Sequence, residues 1–161
     1  MRRIASLCIV GALAASALVP ATAGARVLDN TTIVLGTSIG KATVGTSKTK
    51  LDGRLGQGRV IKRTTNELGT FTIVRYADHH VDVTYRRSQS VLVTTTSAHY
   101  GTTKGIYVTA TRADLKRTYP AAKCPTATLC TLGRFTPGKR VTEFRLKRSK
   151  ITSIGVGIVL D

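Results

Sequence analysis

Short segments in which apolar and polar residues alternate follow one another through most of the chain, and they constrain its fold more than any other feature. Alternation with a period of two is typical of β-strands that bury one face and expose the other. Polar turns at 87–90 and 148–150 join neighbouring segments, so we expect antiparallel hairpins. The segments are 59–62, 70–74, 81–85, 91–94, 133–135, 141–146 and 151–156, the last running on to Leu160.

Each half of the chain also has one short helix pattern ahead of its strands. In the second half the helix begins at Thr111, whose hydroxyl can cap the amide of Asp114, and it ends at Pro120. In the first half we expect Ser47 to cap a weaker helix that includes Gly53, which costs about 1 kcal/mol of helix stability. Helices this short form only when they dock on a core.

The two halves align with each other. A shift of 64 residues places Leu51 on Leu115, and a shift of 61 places residues 83–88 on 144–149. The order and chemical type of the matches are kept over about 50 positions, which indicates an internal duplication.

The fold that follows is α+β. We predict two tandem helix-plus-antiparallel-strands units, residues 26–98 and 99–161, which form one curved sheet with the helices on one face. The two units together make one compact domain, since the chain is too short for several large ones.

This arrangement resembles a known group of proteins. The similar entry segments at 44–47 and 108–111, with short helices closing near Leu55 and Tyr119, look like the β-lactamase inhibitor protein and the small outer-membrane assembly lipoproteins that share its unit. The similarity covers most of residues 39–159. It implies an inhibitor-like fold whose concave sheet face holds a partner. The chain has no Trp, so inhibition of a β-lactamase is not carried over.

The N-terminus has the pattern of a bacterial secretory signal peptide. Two arginines precede an apolar run at 4–19, which is followed by Pro20 and small residues suited to a signal peptidase. We predict a signal at 1–25, cleaved between Gly24 and Arg26. The alternative is an N-terminal membrane anchor, for which the run is short. The mature chain is expected to lack a transmembrane segment and to be secreted, either extracellular or associated with the cell envelope.

Two cysteines, Cys124 and Cys130, remain after removal of the signal. In an oxidising compartment the default prediction is a local disulfide, which contributes about 2 kcal/mol by closing a short loop. A metal site would need two further ligands nearby in sequence, and a redox dithiol usually has two intervening residues.

One cluster of titratable residues invites a catalytic interpretation: His79, His80 and Asp82. On a strand His80 and Asp82 would share a face, so a carboxylate could orient an imidazole. No nucleophile motif accompanies them, and a solvated turn is the simpler interpretation. A weak metal site that adds His99 is disfavoured. We therefore predict no catalytic residue, no metal site and no cofactor.

The charge is the stronger functional signal. The sequence has 25 Lys and Arg against 8 Asp and Glu, a net charge of +17, and removal of the signal still leaves 23 cations. Alternation places Arg86, Arg145 and Lys147 on the sheet face away from the helices, with Arg87 and Arg148 at its turn-side rim. These five residues are the predicted binding residues for an anion. The alternative is that they are simply solvated.

These observations favour a secreted, non-enzymatic binding or interaction module, acting as a monomer, with a basic surface for an anionic protein or cell-wall polymer. A small cell-envelope hydrolase using His79 or His80 is the alternative. Specific nucleic-acid binding is not expected, because the chain has no recognition-helix pattern and no aromatic-rich RNA-binding strand.

Overall fold

The computed structural model describes residues 30–161, so the predicted signal peptide and its cleavage site lie outside the described residues. Within this range the strands and helices follow one another along the chain, with one 3₁₀ turn at Ala77–His79. They are β1 (Thr32–Val34), β2 (Ser38–Ile39), β3 (Ala42–Thr43), α1 (Lys48–Leu55), β4 (Arg59–Asn66), β5 (Gly69–Tyr76), β6 (Val81–Arg86), β7 (Gln89–Thr95), β8 (Gly101–Thr102), α2 (Arg112–Thr118), β9 (Leu129–Leu132), β10 (Arg140–Lys147) and β11 (Lys150–Ile158).

Seven of the strands form one large antiparallel sheet in the order β4-β5-β6-β7-β11-β10-β9. Its centre is a row of valines that are cross-strand partners on four successive strands. These residues are Val74, Val83, Val93 and Val156, and each is fully buried. β-Branched side chains pack well on such a pleated surface, and this row fixes which face of every strand belongs to the core.

A second layer covers that inner face. It contains the small sheet β3-β2-β1-β8, in which β1 and β8 are parallel, and the two helices. Ile33 and Ile39 of the small sheet and Leu51 and Leu115 of the helices belong to the same buried cluster as the valine row. The core therefore lies between the large sheet and this layer.

Each helix begins against a hairpin turn of the large sheet. The amide of Lys48 in α1 donates to the Ser88 carbonyl, and the amide of Arg112 in α2 donates to the Ser149 carbonyl, both at 2.9 Å. These bonds satisfy amides that have no acceptor within their own helix. Docking on the hairpins explains how helices of eight and seven residues can form.

The predicted fold class is wrong. The described chain is mostly β, with 48% of its residues in strands and 14% helical, and it is not built from tandem helix-plus-strand units. The physical reason lies in the helices. α1 buries two leucines and α2 only Leu115, so neither can form a layer of its own, and the strands supply most of the core.

The predicted disulfide between Cys124 and Cys130 is confirmed. Cys130 in β9 is fully buried, and Cys124 packs against the core from the preceding loop. The bond therefore ties the α2–β9 connection to the outermost strand of the sheet. Separately, neither helix in residues 30–161 has the length and apolar composition needed to cross a membrane.

Candidate binding surface on the outer face of the sheet

The face of the large sheet turned away from the core, called here the outer face, has its own cross-strand row. The row runs through six strands without interruption, and its members are direct register partners. They are Lys62, Ile73, Thr84, Leu92, Gly157 and Val141. Four of the six are apolar or glycine, although a solvated sheet face is usually polar.

A groove of about 490 Å³ follows this row, and we call it the outer groove. Loops complete it at its two ends, with Leu68 from the β4–β5 turn and Val159 and Leu160 from the C-terminus. Phe135, which precedes β10, also lines the groove and is 70% exposed. Its main apolar side chains are Phe71, Ile73, Leu92, Phe135, Val141 and Leu160. A concave apolar surface with a few polar groups is the usual form of a binding site.

Two glycines of β11 shape the floor of the groove. A Cβ at Gly157 would lie 3.0 Å from Leu92 Cδ1, and a Cβ at Gly155 would lie 2.9 Å from Glu143 Cγ. The side chains of Leu92 and Glu143 therefore lie over β11 and occupy the space that larger residues at these two positions would need. This packing keeps the floor low and apolar.

Two cations lie on the strands that flank β5, Lys62 on β4 and Arg86 on β6. Lys62 is the cross-strand partner of Ile73, and Arg86 is the partner of Phe71. Within the described residues neither cation forms an ion pair, and the Arg86 Nε–H is buried without an acceptor. A buried donor without a partner is uncommon, and no described acid neutralises the charge of either side chain.

The acids on the outer face of the strands are already neutralised. Arg75 donates to both oxygens of Asp82, each at 2.8 Å, and Arg145 Nε donates to Glu143 at 3.3 Å. The outer groove therefore has free positive charge at its β4–β6 end and paired charge at its β10 end.

The five predicted binding residues lie in separate places. Arg86 is the cross-strand partner of Phe71, which lines the outer groove, whereas Arg145 lies three outer-face positions away, about 20 Å along the strands. Lys147 and Arg148 line a shallow depression of about 670 Å³ at the β10–β11 turn. Arg87 lines a different pocket of about 310 Å³ on the inner side of β4. Their roles in binding stay predictions, but they do not form one continuous patch.

The histidines lie at the end of the sheet where β6 begins. His80 and Asp82 line one pocket of about 490 Å³, as their spacing predicts. Asp82 is held by Arg75, however, and His80 stacks on His99 with ring centres 6.0 Å apart. Within residues 30–161 no imidazole hydrogen-bonds a hydroxyl, and no cluster of three metal-ligating residues is found. Hydrolase activity stays an untested alternative.

Sequence analysis missed the apolar residues of the outer groove. The signal was present in β5 and β7, where apolar residues occupy both faces of a strand, as with Phe71 and Ile73 against Val74 in β5. These residues were not assigned to a binding site, because the outer face was expected to be exposed and cationic. The predicted strand at 133–135 is wrong: β9 ends at Leu132 and β10 begins at Arg140, so Phe135 lies in the loop between them. β11 ends at Ile158, before Leu160, and alternation does not specify the path of either segment.

Comparison with known proteins adds one weak likeness. No family model matches the sequence, and no curated protein matches it significantly. Among solved structures, an extracellular protein containing an SCP domain from Bacillus anthracis strain Ames aligns with a TM-score of 0.43 and 9% sequence identity. The alignment covers 71% of this chain and 44% of that chain, so this chain spans less than half of that protein. At this level the likeness indicates neither family nor function, and the resemblance to the β-lactamase inhibitor group stays a prediction.

Proposed function

We propose that this protein is a secreted binding module whose outer groove holds the apolar part of an anionic partner, while Lys62 and Arg86 pair with the partner's negative charge. The observation that supports this most is the apolar outer groove, which the unpaired cation Lys62 lines and next to which Arg86 pairs across the strands with the lining residue Phe71. Binding sites commonly combine an apolar surface with a small number of charged groups that set specificity.

The partner is an acidic protein. A cell-wall polymer offers negative charge but little apolar surface, so the apolar side chains of the outer groove would remain solvated and make no contact with it. A protein can present both an apolar side chain and carboxylates. Interfaces of this kind place apolar and aromatic residues at the centre and charged residues at the rim.

Secretion is part of the proposal and has two supports. The N-terminal sequence has the order of charged, apolar and small residues that a signal peptide needs. The Cys124–Cys130 disulfide fits a compartment that permits oxidation.

The apolar and anionic character of the site is tested with anilinonaphthalene sulfonate, a dye that combines an aromatic body with one negative charge. We expect the folded protein to bind it with an increase in fluorescence. Phe135→Ser should weaken this binding about tenfold, because the most exposed apolar side chain of the groove is lost. Tyr107→Ser is the matched control, since Tyr107 is also exposed (46%) but does not line the groove.

The charge is tested in the same assay. Lys62→Gln with Arg86→Gln should weaken binding and reduce its dependence on salt, whereas Lys50→Gln with Arg54→Gln, on α1, should change neither. Equal effects from the two pairs would show that only net charge matters. No dye binding by the folded protein, or equal losses from Phe135→Ser and Tyr107→Ser, would overturn the proposal.

A further inference from the structure

The outermost strand next to the groove, β4, is an unusually open edge. It is eight residues long, all eight are exposed, and within the described residues it pairs only with β5. In an antiparallel pair, alternate residues of an edge strand point their N–H and C=O groups away from the neighbour. Beyond the bulge between Val60 and Lys62, β4 therefore offers a row of unpaired backbone donors and acceptors about 17 Å long.

The charge on β4 decides what can pair with it. The strand has Arg59, Lys62 and Arg63 and no acid, and Glu67 in the following turn is the nearest acid in the sequence. A second copy of β4 laid against it would bring cations close to cations, which disfavours self-association. A strand with carboxylates would be attracted instead.

The two faces of β4 open onto different surroundings. On the outer side Lys62 and Thr64 line the apolar outer groove. On the inner side Val60 and Arg63 line the pocket of about 310 Å³ that Arg87 and Lys48 also border. A strand added to β4 would alternate its side chains between an apolar surface and a cationic pocket.

We propose that β4 binds an extended acidic segment of a partner protein as an eighth strand of the large sheet. Apolar residues of that segment face the outer groove, and the acidic residues between them face Arg63 and Arg87. Addition of a strand at a sheet edge is an established mode of peptide recognition, in which backbone hydrogen bonds give affinity and alternate side chains give specificity. The inference takes the class of partner, an acidic protein, from the proposed function, and it adds the backbone edge of β4 beside the outer groove.

The test uses a synthetic peptide of about ten residues in which Glu and Val alternate. We expect it to bind the full chain and to slow hydrogen exchange of amides in β4. Because alternate N–H groups of a strand point the same way, N-methylation of one alternate set should lower affinity about tenfold or more, while methylation of the other set should have little effect. Equal affinities for both methylated peptides would show that the charge alone binds and would overturn the proposal.

Variants of the protein give an independent check. Lys62→Glu with Arg63→Glu should abolish binding of this peptide, whereas Lys50→Glu with Arg54→Glu, the control on α1, should retain most of it. Binding that persists in the β4 variant, or slowed exchange confined to strands other than β4, would overturn the inference. Since dye binding in the outer groove is measured separately with Phe135→Ser, failure at β4 is distinguishable from failure of the proposed function.

Discussion

At the scale of single residues, a buried chain of hydrogen bonds joins the sheet to α1. Tyr76 donates to Asp52 Oδ1 at 2.7 Å, so its oxygen accepts from the Tyr85 hydroxyl, also at 2.7 Å. Lys48 donates to the other oxygen of Asp52 at 2.6 Å. Both tyrosines are almost fully buried. These hydrogen bonds anchor α1, whose buried residues are only Leu51 and Leu55.

Tyr76→Phe should lower the free energy of unfolding by about 1–3 kcal/mol, because it leaves the Tyr85 hydroxyl buried without an acceptor and removes one donor from Asp52. Tyr85→Phe should cost less, about 1 kcal/mol, since only a donor is lost. Tyr107→Phe is the control and should cost close to nothing, because Tyr107 is exposed. Urea denaturation measures all three, and equal losses for Tyr76→Phe and Tyr107→Phe would contradict the hydrogen-bond chain.

The same tyrosines predict a pH dependence. Burial raises the pKa of Tyr85 from 10.0 to about 12, and burial together with hydrogen bonds to Tyr85 and Asp52 raises the pKa of Tyr76 further. The folded state thus favours the neutral phenols. The contribution of Tyr85 to stability is complete below pH 10 and is lost as the pH rises toward 12, whereas the contribution of Tyr76 also falls above pH 10 but over a wider range.

Denaturation at pH 8.0, 10.0 and about 11.5 should therefore show falling stability, and Tyr85→Phe should make the fall less steep, since one of the two shifted groups is gone. An identical fall in the wild type and in Tyr85→Phe would mean that other groups cause it.

At the scale of elements, the two helices differ at their N-termini. In α2 the Thr111 hydroxyl accepts from the Asp114 amide at 3.1 Å, and the Asp114 carboxylate accepts from the Thr111 amide at 3.1 Å. In α1 the equivalent residue, Ser47, makes no side-chain cap. The predicted cap at Thr111 is confirmed, whereas the predicted cap at Ser47 is wrong.

Thr111→Ala should therefore lower the free energy of unfolding by about 1 kcal/mol, whereas Ser47→Ala should have little effect. The two changes remove the same group from the first residue before a helix, so each is a control for the other. Thermal unfolding compares them. A larger loss for Ser47→Ala would contradict the assignment of the caps.

The two hairpin turns that support the helices contain backbone strain. Both central residues of each turn have positive φ, with Arg87 and Ser88 at 49° and 62° and Arg148 and Ser149 at 51° and 61°. This is the pattern of a type I′ turn, for which Asn-Gly is the preferred sequence.

Replacement by Asn-Gly at either turn should raise the free energy of unfolding by about 1 kcal/mol, because glycine adopts positive φ without steric cost. The backbone bonds from Lys48 and Arg112 to the turns would be kept. Denaturant unfolding of Arg148→Asn with Ser149→Gly checks this, and a loss of stability would show that the Ser149 side chain has a role that its conformation does not reveal.

At the scale of the whole molecule, the period of two predicted six of the seven strands of the large sheet, but not β9, because a strand that buries one face alternates apolar and polar residues in sequence. The strands at 81–85 and 141–146 lie within β6 and β10. The share of the core that helices and strands each supply was not predictable in this way. Leu51 and Leu115 indicate helices, but how much core a short helix covers depends on the packing of both sheets, which no local pattern contains.

The site shows the same limit. Alternation placed Arg86 on the outer face correctly, but the position of each cation along its strand depends on register between distant strands. Register places Arg86 beside Phe71 and leaves Arg145 at the other end of the sheet, paired with Glu143. The apolar outer groove is formed by six strands, two loops and the C-terminal segment, and it exists only in the assembled fold.

The central claim is that the outer groove is the binding surface, and amide chemical-shift mapping of isotope-labelled protein with anilinonaphthalene sulfonate tests it most directly. The account predicts that the largest shifts fall on Phe71, Ile73, Leu92 and Gly157, which line the groove on three strands, while amides of α1 and α2 stay unchanged. Largest shifts on the helices, or around His80 at the opposite end of the sheet, would contradict it.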